Sequence, residues 1–204
     1  MCGAVARRSR SGVLGAVPVD SAPGGRRGGI AILKTMRSSL AFFLLAAGVF
    51  AADGPRRAPG FALPDSKMQI HDLYDYRGKP VVLEFMNTGC PHCAAFANIL
   101  EKVQAKFGDR VAVISVANPP DTLSTVGAFM QGHKITYPVL FDSGQAAFSY
   151  VRSMKFDLPQ VYLIDANGMI YGHYTYDALS KSIFEGDGLL YEIDRLFGQA
   201  SGKK

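Results

Sequence analysis

The sequence predicts an α/β domain in which a mostly parallel sheet is covered by helices on both faces. Two near-continuous apolar runs, VVLEFM at 81–86 and VAVISVA at 111–117, have the composition of central strands buried on both sides. Stretches with helical spacing separate the strands, so the first strands should be parallel. Asn167-Gly168 lies between two further strand-like segments and predicts an antiparallel hairpin with positive φ angles in its turn.

The predicted domain begins with a short extended entry over residues 61–76, which closes at Gly78-Lys79-Pro80. The first core strand follows. The helix after that strand carries apolar residues four, three and four positions apart, and it is expected to stop at Gly108. The apolar face consists of Phe96, Leu100, Val103 and Phe107.

Two aspartates and a glycine mark the ends of the remaining helices. Asp121 is predicted to cap the second helix and Asp142 the third, because a carboxylate at this position accepts free backbone N–H groups. A short strand at 137–142 separates these helices, and the last helix is expected to end at Gly198. The apolar faces are Leu123, Val126 and Met130; Ala147, Phe148 and Val151; and Leu189, Ile193 and Leu196.

The positive charge of the chain is concentrated at its start. The net charge of the 204 residues is +5, but residues 1–37 alone carry seven basic side chains against one acidic side chain. The remainder is therefore close to neutral, and no basic patch is interleaved with aromatic residues. This pattern excludes nucleic acid as a partner.

The sequence from Met36 onwards predicts export. Arg37 supplies a positive start, residues 40–49 form an apolar stretch too short to span a bilayer comfortably, and residues 49–51 place small side chains where a signal peptidase reads. An uncleaved membrane anchor is the alternative. Either outcome predicts a periplasmic or otherwise extracytoplasmic location. The predicted boundaries are 1–35 for a disordered or over-extended leader, 36–52 for the signal peptide, 53–60 for a linker and 61–198 for the domain.

Cys90-Pro91-His92-Cys93 is the main candidate for chemistry. The pair follows a buried strand and opens a helix, whose free N–H groups and dipole stabilise a thiolate. Cys90 is therefore expected to be the nucleophile and Cys93 to resolve the mixed disulfide. A protonated His92 would further stabilise the Cys90 thiolate, while the alternative is a solvent-facing turn residue without an electronic role.

Glu84 is an acid inside the apolar strand at 81–86. Burial of a carboxylate is costly, so a raised pKa is expected. Glutamate on a strand more often faces solvent. Its neighbours Leu83, Phe85 and Met86 favour burial.

A C-x-x-C pair can also be half of a zinc site or two inert buried thiols. A cysteine zinc site needs a second pair, and the third cysteine, Cys2, lies in the predicted leader. His71, His133 and His173 are scattered singly. Export would leave two cysteines in one motif that can cycle between thiols and disulfide, so we expect no metal ion and no cofactor.

The chain resembles the thioredoxin-fold thiol–disulfide oxidoreductases, in particular the exported TlpA/ResA-type group related to AhpC/TSA proteins. APGFALPD at 58–65 is similar to the entry strand of that group, and Gly78-Lys79-Pro80 with VVLEF to its first core strand. LPQVYLIDANG at 158–168 is similar to its cis-proline strand and hairpin. The resemblance covers roughly residues 58–198, and the separation of Cys93 from Pro159 fits the TlpA-type insertion.

The resemblance implies roles for three further residues. Pro159 should follow a cis peptide bond, and the backbone of Leu158 should pair with an extended client segment by strand addition. Glu84 should exchange a proton with Cys93. The implied partners are protein thiols and disulfides, together with a redox partner protein, and a membrane only through the signal or an uncleaved anchor.

Two departures from the group affect the expected role. Pro91-His92 is the dipeptide of DsbA, and Phe96 stands where the reductases of cytochrome c maturation usually carry an acid. Both favour an oxidising or broad-range role in cell-envelope redox homeostasis. Two alternatives stay open. A peroxiredoxin-like peroxidase would have one more residue between Thr88 and Cys90, and a copper-delivery protein would have His133 as its only candidate histidine.

Overall fold

The computed structural model describes residues 56–153 and 155–201. The predicted leader at 1–35, the signal peptide at 36–52 and the start of the predicted linker lie outside the described residues. Among those that are described, no helix has the length and apolar character needed to cross a membrane.

The described residues form seven strands, five α-helices and two short 3₁₀ turns. The strands are β1 (Ala62–Pro64), β2 (Ile70–Asp72), β3 (Val81–Met86), β4 (Ala112–Ala117), β5 (Val139–Phe141), β6 (Gln160–Ile164) and β7 (Ile170–Thr175). The α-helices are α1 (Pro91–Phe107), α2 (Leu123–His133), α3 (Gln145–Val151), α4 (Lys181–Glu185) and α5 (Asp187–Ser201). The 3₁₀ turns are Leu73–Tyr76 and Gly108–Arg110.

Five strands form the central sheet in the order β5-β4-β3-β6-β7. The β3, β4 and β5 strands are parallel, whereas β6 pairs antiparallel with both β3 and β7. The short β1 and β2 strands form a separate antiparallel pair. This arrangement confirms the predicted fold, a mixed sheet with a parallel part, an antiparallel hairpin at one edge and a final helix.

The two faces of the sheet are covered by different elements. Alternate residues of β3 point to opposite faces, as the pleat of a strand requires. Val82 and Met86 pack with residues of α1, α2, α4 and α5, and this side is called the α1 face below. Leu83 and Phe85 pack with α3 and the turn at Leu73–Tyr76, which is called the α3 face. The predicted helices on both faces are therefore confirmed.

The first helix ends as predicted, but the cap of the second helix differs. Gly108 follows α1 with a φ of 54°, a conformation that glycine adopts easily. The cap of α2 is Thr122 and not Asp121, because Thr122 and Thr125 bond to each other's backbone in a capping box. The Asp121 carboxylate instead accepts bonds from Thr88.

The third helix and the hairpin follow their predictions in part. Asp142 accepts bonds from two N–H groups of the first turn of α3, although the residue at the cap position is Gly144. The β6–β7 hairpin is present. Its turn needs a positive φ only at Gly168, because the Asp165 carboxylate holds the rest of the turn by accepting from the N–H groups of Asn167 and Met169.

Three features differ from the predictions: the end of the last helix, one additional helix and the contacts of the linker. Helix α5 continues through Gly198 to Ser201, and the short helix α4 was not predicted. The described part of the predicted linker, residues 56–60, is bound to the domain. The Ala58 N–H donates to the Gly168 carbonyl, and the Arg56 carbonyl accepts from the Ile170 N–H.

Candidate active site

The Cys90 thiol lies at the start of α1, at the carboxyl end of the central strand β3. Cys90 is the residue that caps α1, and its Sγ accepts a bond from the Cys93 N–H at 3.3 Å. Pro91 fits the first helical position, where no N–H is needed. Cys90 is half-buried and Cys93 is fully buried, and both are free thiols. The geometry thus presents one thiol to a client and keeps the second beneath it.

The loop before Cys90 is fixed by three polar side chains. Asp121 accepts from the N–H and the hydroxyl of Thr88, and Asn87 accepts from the Gly89 N–H. Asn118 donates to the carbonyl of Met86 at the end of β3. These bonds hold the approach to the thiol pair. The sequence predicted no role for Asn118 and a helix cap for Asp121, although both lie within four residues of the end of β4, the strand that pairs with β3.

Glu84 lies in the middle of β3, faces α1 and is 1% exposed. The Ser115 hydroxyl donates to its Oε2 at 2.5 Å. Among the described residues, Oε1 has no hydrogen-bond partner. Burial raises the pKa of Glu84 to about 8, and the bond from Ser115 offsets only part of this effect. The predicted burial is confirmed, and near neutral pH the side chain holds a proton.

The Cys93 thiol shares the interior with Glu84. Burial raises the pKa of Cys93 far above the value of a free thiol, and the negative charge of an ionised Glu84 adds to the rise. The two groups therefore cannot readily carry negative charge together. A proton that leaves Cys93 has a nearby acceptor in the Glu84 carboxylate, which is the arrangement that proton exchange between them requires.

The loop before β6 meets the Cys90 thiol. The peptide bond between Leu158 and Pro159 is cis, as predicted. The Leu158 carbonyl accepts from Cys90 Sγ at 3.7 Å. A surface cleft of about 670 Å³ continues from Leu158 and is lined by residues 118–119, 143–144, 153 and 155–157. Backbone groups and an open cleft therefore lie directly beside the half-buried Cys90 thiol.

His92 is exposed in the first turn of α1 and is not an isolated turn residue. Its ring stacks on Tyr176, with 3.8 Å between ring centroids and 20° between ring planes. Tyr176 in turn packs edge-on against Phe184, which contacts Phe96. Tyr176 could not be predicted from the sequence, because 176 − 92 = 84 positions separate the two rings and no local spacing connects them.

The remaining histidines are occupied elsewhere. His133 packs on Phe129 within α2, His71 bonds to Tyr76 and Asp65, and His173 bonds to Gln160. Within residues 56–153 and 155–201, no group of three or more His, Cys, Asp or Glu side chains is arranged to hold a metal ion. The described geometry therefore does not associate His133 with the two thiols.

Two curated proteins illustrate what the chain is similar to. Thioredoxin-like protein YneN of Bacillus subtilis is 30% identical over 117 residues, which cover 56% of this chain and 67% of YneN. Thiol-disulfide oxidoreductase ResA of Geobacillus kaustophilus is 32% identical over 116 residues, which cover 55% of this chain and 64% of ResA. The similarity thus spans about two thirds of the length of these relatives.

Solved structures with the same fold agree with these relatives. A Chlorobium tepidum structure described as thiol:disulfide interchange protein DsbE has a TM-score of 0.58 at 27% identity and covers 67% of this chain and 95% of its own. A Bacteroides thetaiotaomicron structure described as a protein disulfide isomerase has a TM-score of 0.59 at 25% identity, covering 70% and 88%. The thioredoxin-like fold and the enzyme class, a disulfide oxidoreductase, are confirmed.

The family model described as AhpC/TSA matches residues 55–173. The matched segment contains the strand with Glu84, both cysteines and the loop with Pro159. Because it makes up more than half of the 204 residues, the chain belongs to the AhpC/TSA family.

Proposed function

We propose that this chain is an exported thiol–disulfide oxidoreductase that exchanges disulfides with protein cysteines through Cys90 and Cys93. The observation that carries the proposal is the placement of the two thiols. Cys90 Sγ lies at a helix N-terminus within 3.7 Å of the Leu158 carbonyl, and Cys93 lies buried beneath it beside Glu84.

The first step is attack by Cys90. When the protein acts as a reductant, the Cys90 thiolate attacks one sulfur of a client disulfide. A mixed disulfide forms, and the other client sulfur leaves as a thiolate. The backbone of Leu158 can pair with the client segment around its cysteine, which reads backbone groups and tolerates many sequences. Protein clients of varied sequence are therefore the proposed substrates.

The second step is resolution by Cys93. The ionised form of Glu84, which is the minor form at neutral pH, takes the proton of the Cys93 thiol, and the resulting thiolate attacks Cys90 Sγ. The Cys90–Cys93 disulfide forms and the client leaves with both of its sulfurs reduced. In the oxidising direction the steps reverse, and a protonated Glu84 returns its proton to Cys93 as this thiolate leaves. Two electrons pass between the pair and the client in each cycle.

We propose that the pair is a stronger oxidant than thioredoxin. The N-terminus of α1 favours a thiolate at Cys90, and His92 lies in the first turn of the same helix. A stabilised thiolate favours the dithiol form and makes the disulfide easier to reduce. The expected potential is less negative than the roughly −270 mV of thioredoxin and nearer the roughly −180 mV of protein disulfide isomerase.

The extracytoplasmic location is a proposal supported by the signal-like segment at 36–52. Outside the cytosol a disulfide in the motif can persist between encounters with clients. The proposed role is redox homeostasis of the cell envelope. A separate redox partner would return the Cys90–Cys93 pair to its starting oxidation state after each cycle. Amino-terminal sequencing of protein from a native envelope fraction should find a start near Ala52, and a start at Met1 would contradict this location.

The contacts of Thr88 give no support to the peroxidase alternative. Its hydroxyl donates to Asp121, and the bonding partners of Cys90 Sγ are the Cys93 N–H and the Leu158 carbonyl. A peroxidatic site would need groups that polarise a peroxide beside the nucleophilic sulfur. A peroxide-consumption assay checks the peroxidase alternative directly. Measuring the copper bound by the reduced chain checks the copper-delivery alternative.

Redox titration and trapping test the proposal together. The Cys90–Cys93 pair is equilibrated with glutathione buffers, and its oxidised fraction is measured by alkylation. Cys93→Ala is incubated with a disulfide-bonded client such as insulin, and should accumulate a mixed disulfide through Cys90. A client complex joined through any other residue would overturn the proposed function. A potential at or below that of thioredoxin would overturn only the proposed oxidising strength.

A further inference from the structure

The segment at 155–159, called the Leu158 loop below, lies directly before β6 and belongs to no helix or strand. Its Leu158 carbonyl lies 3.7 Å from Cys90 Sγ. Pairing with a client strand needs the peptide groups of Leu158 in a fixed orientation. Proline has no N–H, so Pro159 cannot donate to a neighbouring strand. Side-chain bonds can therefore decide how this loop is oriented.

The Gln160 side chain closes the Leu158 loop. Its Nε2 donates to the Asp157 carbonyl at 2.6 Å, which ties the chain into a ring around Leu158 and Pro159. Gln160 is 3% exposed at the start of β6, so water has little access to this bond. The C=O and N–H of a trans peptide group point in opposite directions. The bond to the Asp157 carbonyl therefore also sets the direction of the Leu158 N–H.

His173 on β7 holds the other end of the same amide. Its Nε2 lies 2.7 Å from Gln160 Oε1. Because the amide nitrogen of Gln160 faces a carbonyl, the amide oxygen must face His173, and this oxygen can only accept. The imidazole Nε2 therefore carries a hydrogen and donates it to Gln160. The neutral Nε2–H tautomer and the imidazolium can both make this bond.

The position of His173 follows from the sheet register. His173 lies opposite Tyr162, and the two rings stack with 4.2 Å between centroids and 2° between planes. Tyr162 is fully buried, so the exposed imidazole rests on a fixed ring. Gln160 is paired with Thr175, two residues from His173, which makes Gln160 and His173 diagonal neighbours on one face. The contacts thus connect the core to the Leu158 loop.

We propose that Gln160 and His173 are positioning residues that set the affinity of the Leu158 loop for extended protein clients; the proposal rests on the proposed function. Their bonds run to the loop and to each other, whereas the Cys90 sulfur bonds to the Cys93 N–H and the Leu158 carbonyl. They should therefore act on the binding of a client backbone and not on the reactivity of the thiols. A disulfide without peptide groups cannot use this pairing.

The test compares two disulfides that differ in whether they carry a backbone. The reduced full chain is mixed with rising concentrations of a disulfide-linked pair of linear peptides, or of hydroxyethyl disulfide. Samples are quenched with acid, alkylated and counted by mass. The peptide gives a half-saturating concentration and a limiting rate, and hydroxyethyl disulfide gives the reactivity of the thiols alone.

Gln160→Met keeps the length of the side chain but removes both hydrogen bonds. It should raise the half-saturating peptide concentration about tenfold, which corresponds to the loss of one or two hydrogen bonds. His173→Phe keeps a ring on Tyr162 and removes one bond, so it should raise that concentration about threefold. The limiting rate and the rate with hydroxyethyl disulfide should stay unchanged.

Gln131→Met and His133→Phe are matched controls in the last turn of α2. They make the same chemical changes away from the Leu158 loop and should leave both reactions unchanged. In the Gln160→Met background, His173→Phe should add nothing, because His173 acts through Gln160. An additive effect in the double variant would overturn the role of His173.

Equal slowing with both disulfides would indicate a general loss of packing and would overturn the proposal. A half-saturating concentration equal to that of the controls would also overturn it. Urea denaturation checks that the variants are folded. Because His173 is exposed, His173→Phe keeps the test valid if Gln160→Met is unstable.

The positioning role and the proposed function fail in different ways. If the unmodified chain forms no mixed disulfide with the peptide through Cys90, both fail together. If it reacts with the peptide, but Gln160→Met and His173→Phe match their controls, only the positioning role is wrong.

Discussion

The two faces of the central sheet differ in the buried polar groups that they contain. On the α3 face, Phe85, Tyr150 and Tyr162 form an aromatic cluster with ring centroids 4.9–6.0 Å apart. The only acid of β3, Glu84, points to the α1 face, where Cys93 lies. Both faces contain a buried oxygen without a partner among the described residues, Tyr162 OH on one and Glu84 Oε1 on the other.

The two oxygens differ in the pH at which their groups lose a proton. A phenol on the α3 face stays neutral, because burial raises the pKa of Tyr162 to about 12. The carboxyl on the α1 face has its pKa at about 8, within reach of ordinary solution conditions. The α3 face thus contributes packing that is insensitive to pH, whereas the α1 face combines packing with a group that can exchange protons with a thiol.

The largest expected effect concerns the catalytic thiol. Cys90→Ser should abolish insulin reduction, because a serine hydroxyl neither ionises near neutral pH nor forms a disulfide. The melting temperature should change little, since Cys90 is half-buried at the start of α1. Residual turnover above the uncatalysed rate in the purified variant would contradict the assignment of Cys90 as nucleophile.

Phe85→Ala should show the opposite pattern. Phe85 is fully buried on the α3 face, and removal of its ring leaves a cavity that costs about 3–5 kcal/mol. Urea denaturation should detect this loss. The folded fraction at low temperature should retain its rate of attack on a client, because the ring packs on Tyr150 and Tyr162 on the α3 face, whereas both thiols pack on the α1 face. Loss of attack rate in the folded protein would show that the two faces are coupled.

Glu84 should make the stability of the dithiol protein depend on pH. Its pKa rises from 4.5 to about 8 on folding, so the folded state binds more protons in this range. The contribution of Glu84 to the free energy of unfolding should therefore be greatest below pH 4.5 and fall as the pH rises to 8, by about 1.4 kcal/mol per unit at most.

Glu84→Gln should remove that slope, leave the protein as stable or more stable at pH 8, and slow resolution by Cys93. Urea titrations at several pH values compare the two proteins. The same slope in Glu84→Gln would assign the pH dependence to another group.

The smallest expected effect concerns the stack of His92 on Tyr176. The stack fixes the ring of the residue that lies between the two cysteines. Tyr176→Ala frees this ring but keeps the imidazole, so it should shift the reduction potential by less than loss of His92 does. His92→Pro should lower it by tens of millivolts. In the His92→Pro background the Tyr176 substitution should have no further effect, and an additive shift would contradict this coupling.

Local patterns in the sequence were enough for most of the fold. Near-continuous apolar runs predicted β3 and β4, and helical spacing with Gly108 predicted α1 and its end. These features depend on neighbouring residues alone, so they can be read along the chain. The position of Asp121 shows where this reasoning stops. From the sequence, its carboxylate could either cap helix α2 or hold the loop before Cys90. Only the folded chain brings Thr88 of that loop within hydrogen-bond distance of Asp121.

The sequence by itself determined the thiol pair, the acid in β3 and the proline before β6, because each lies in a local context that its neighbours define. The tertiary structure alone decided which groups surround them. Ser115 lies 115 − 84 = 31 positions from Glu84 and Tyr176 lies 84 positions from His92, yet each pair is in contact. Sheet register and helix packing create such contacts, and no sequence spacing encodes them. Neighbouring residues in the sequence therefore identify the reacting atoms, whereas contacts between residues far apart in the chain determine their protonation and charge.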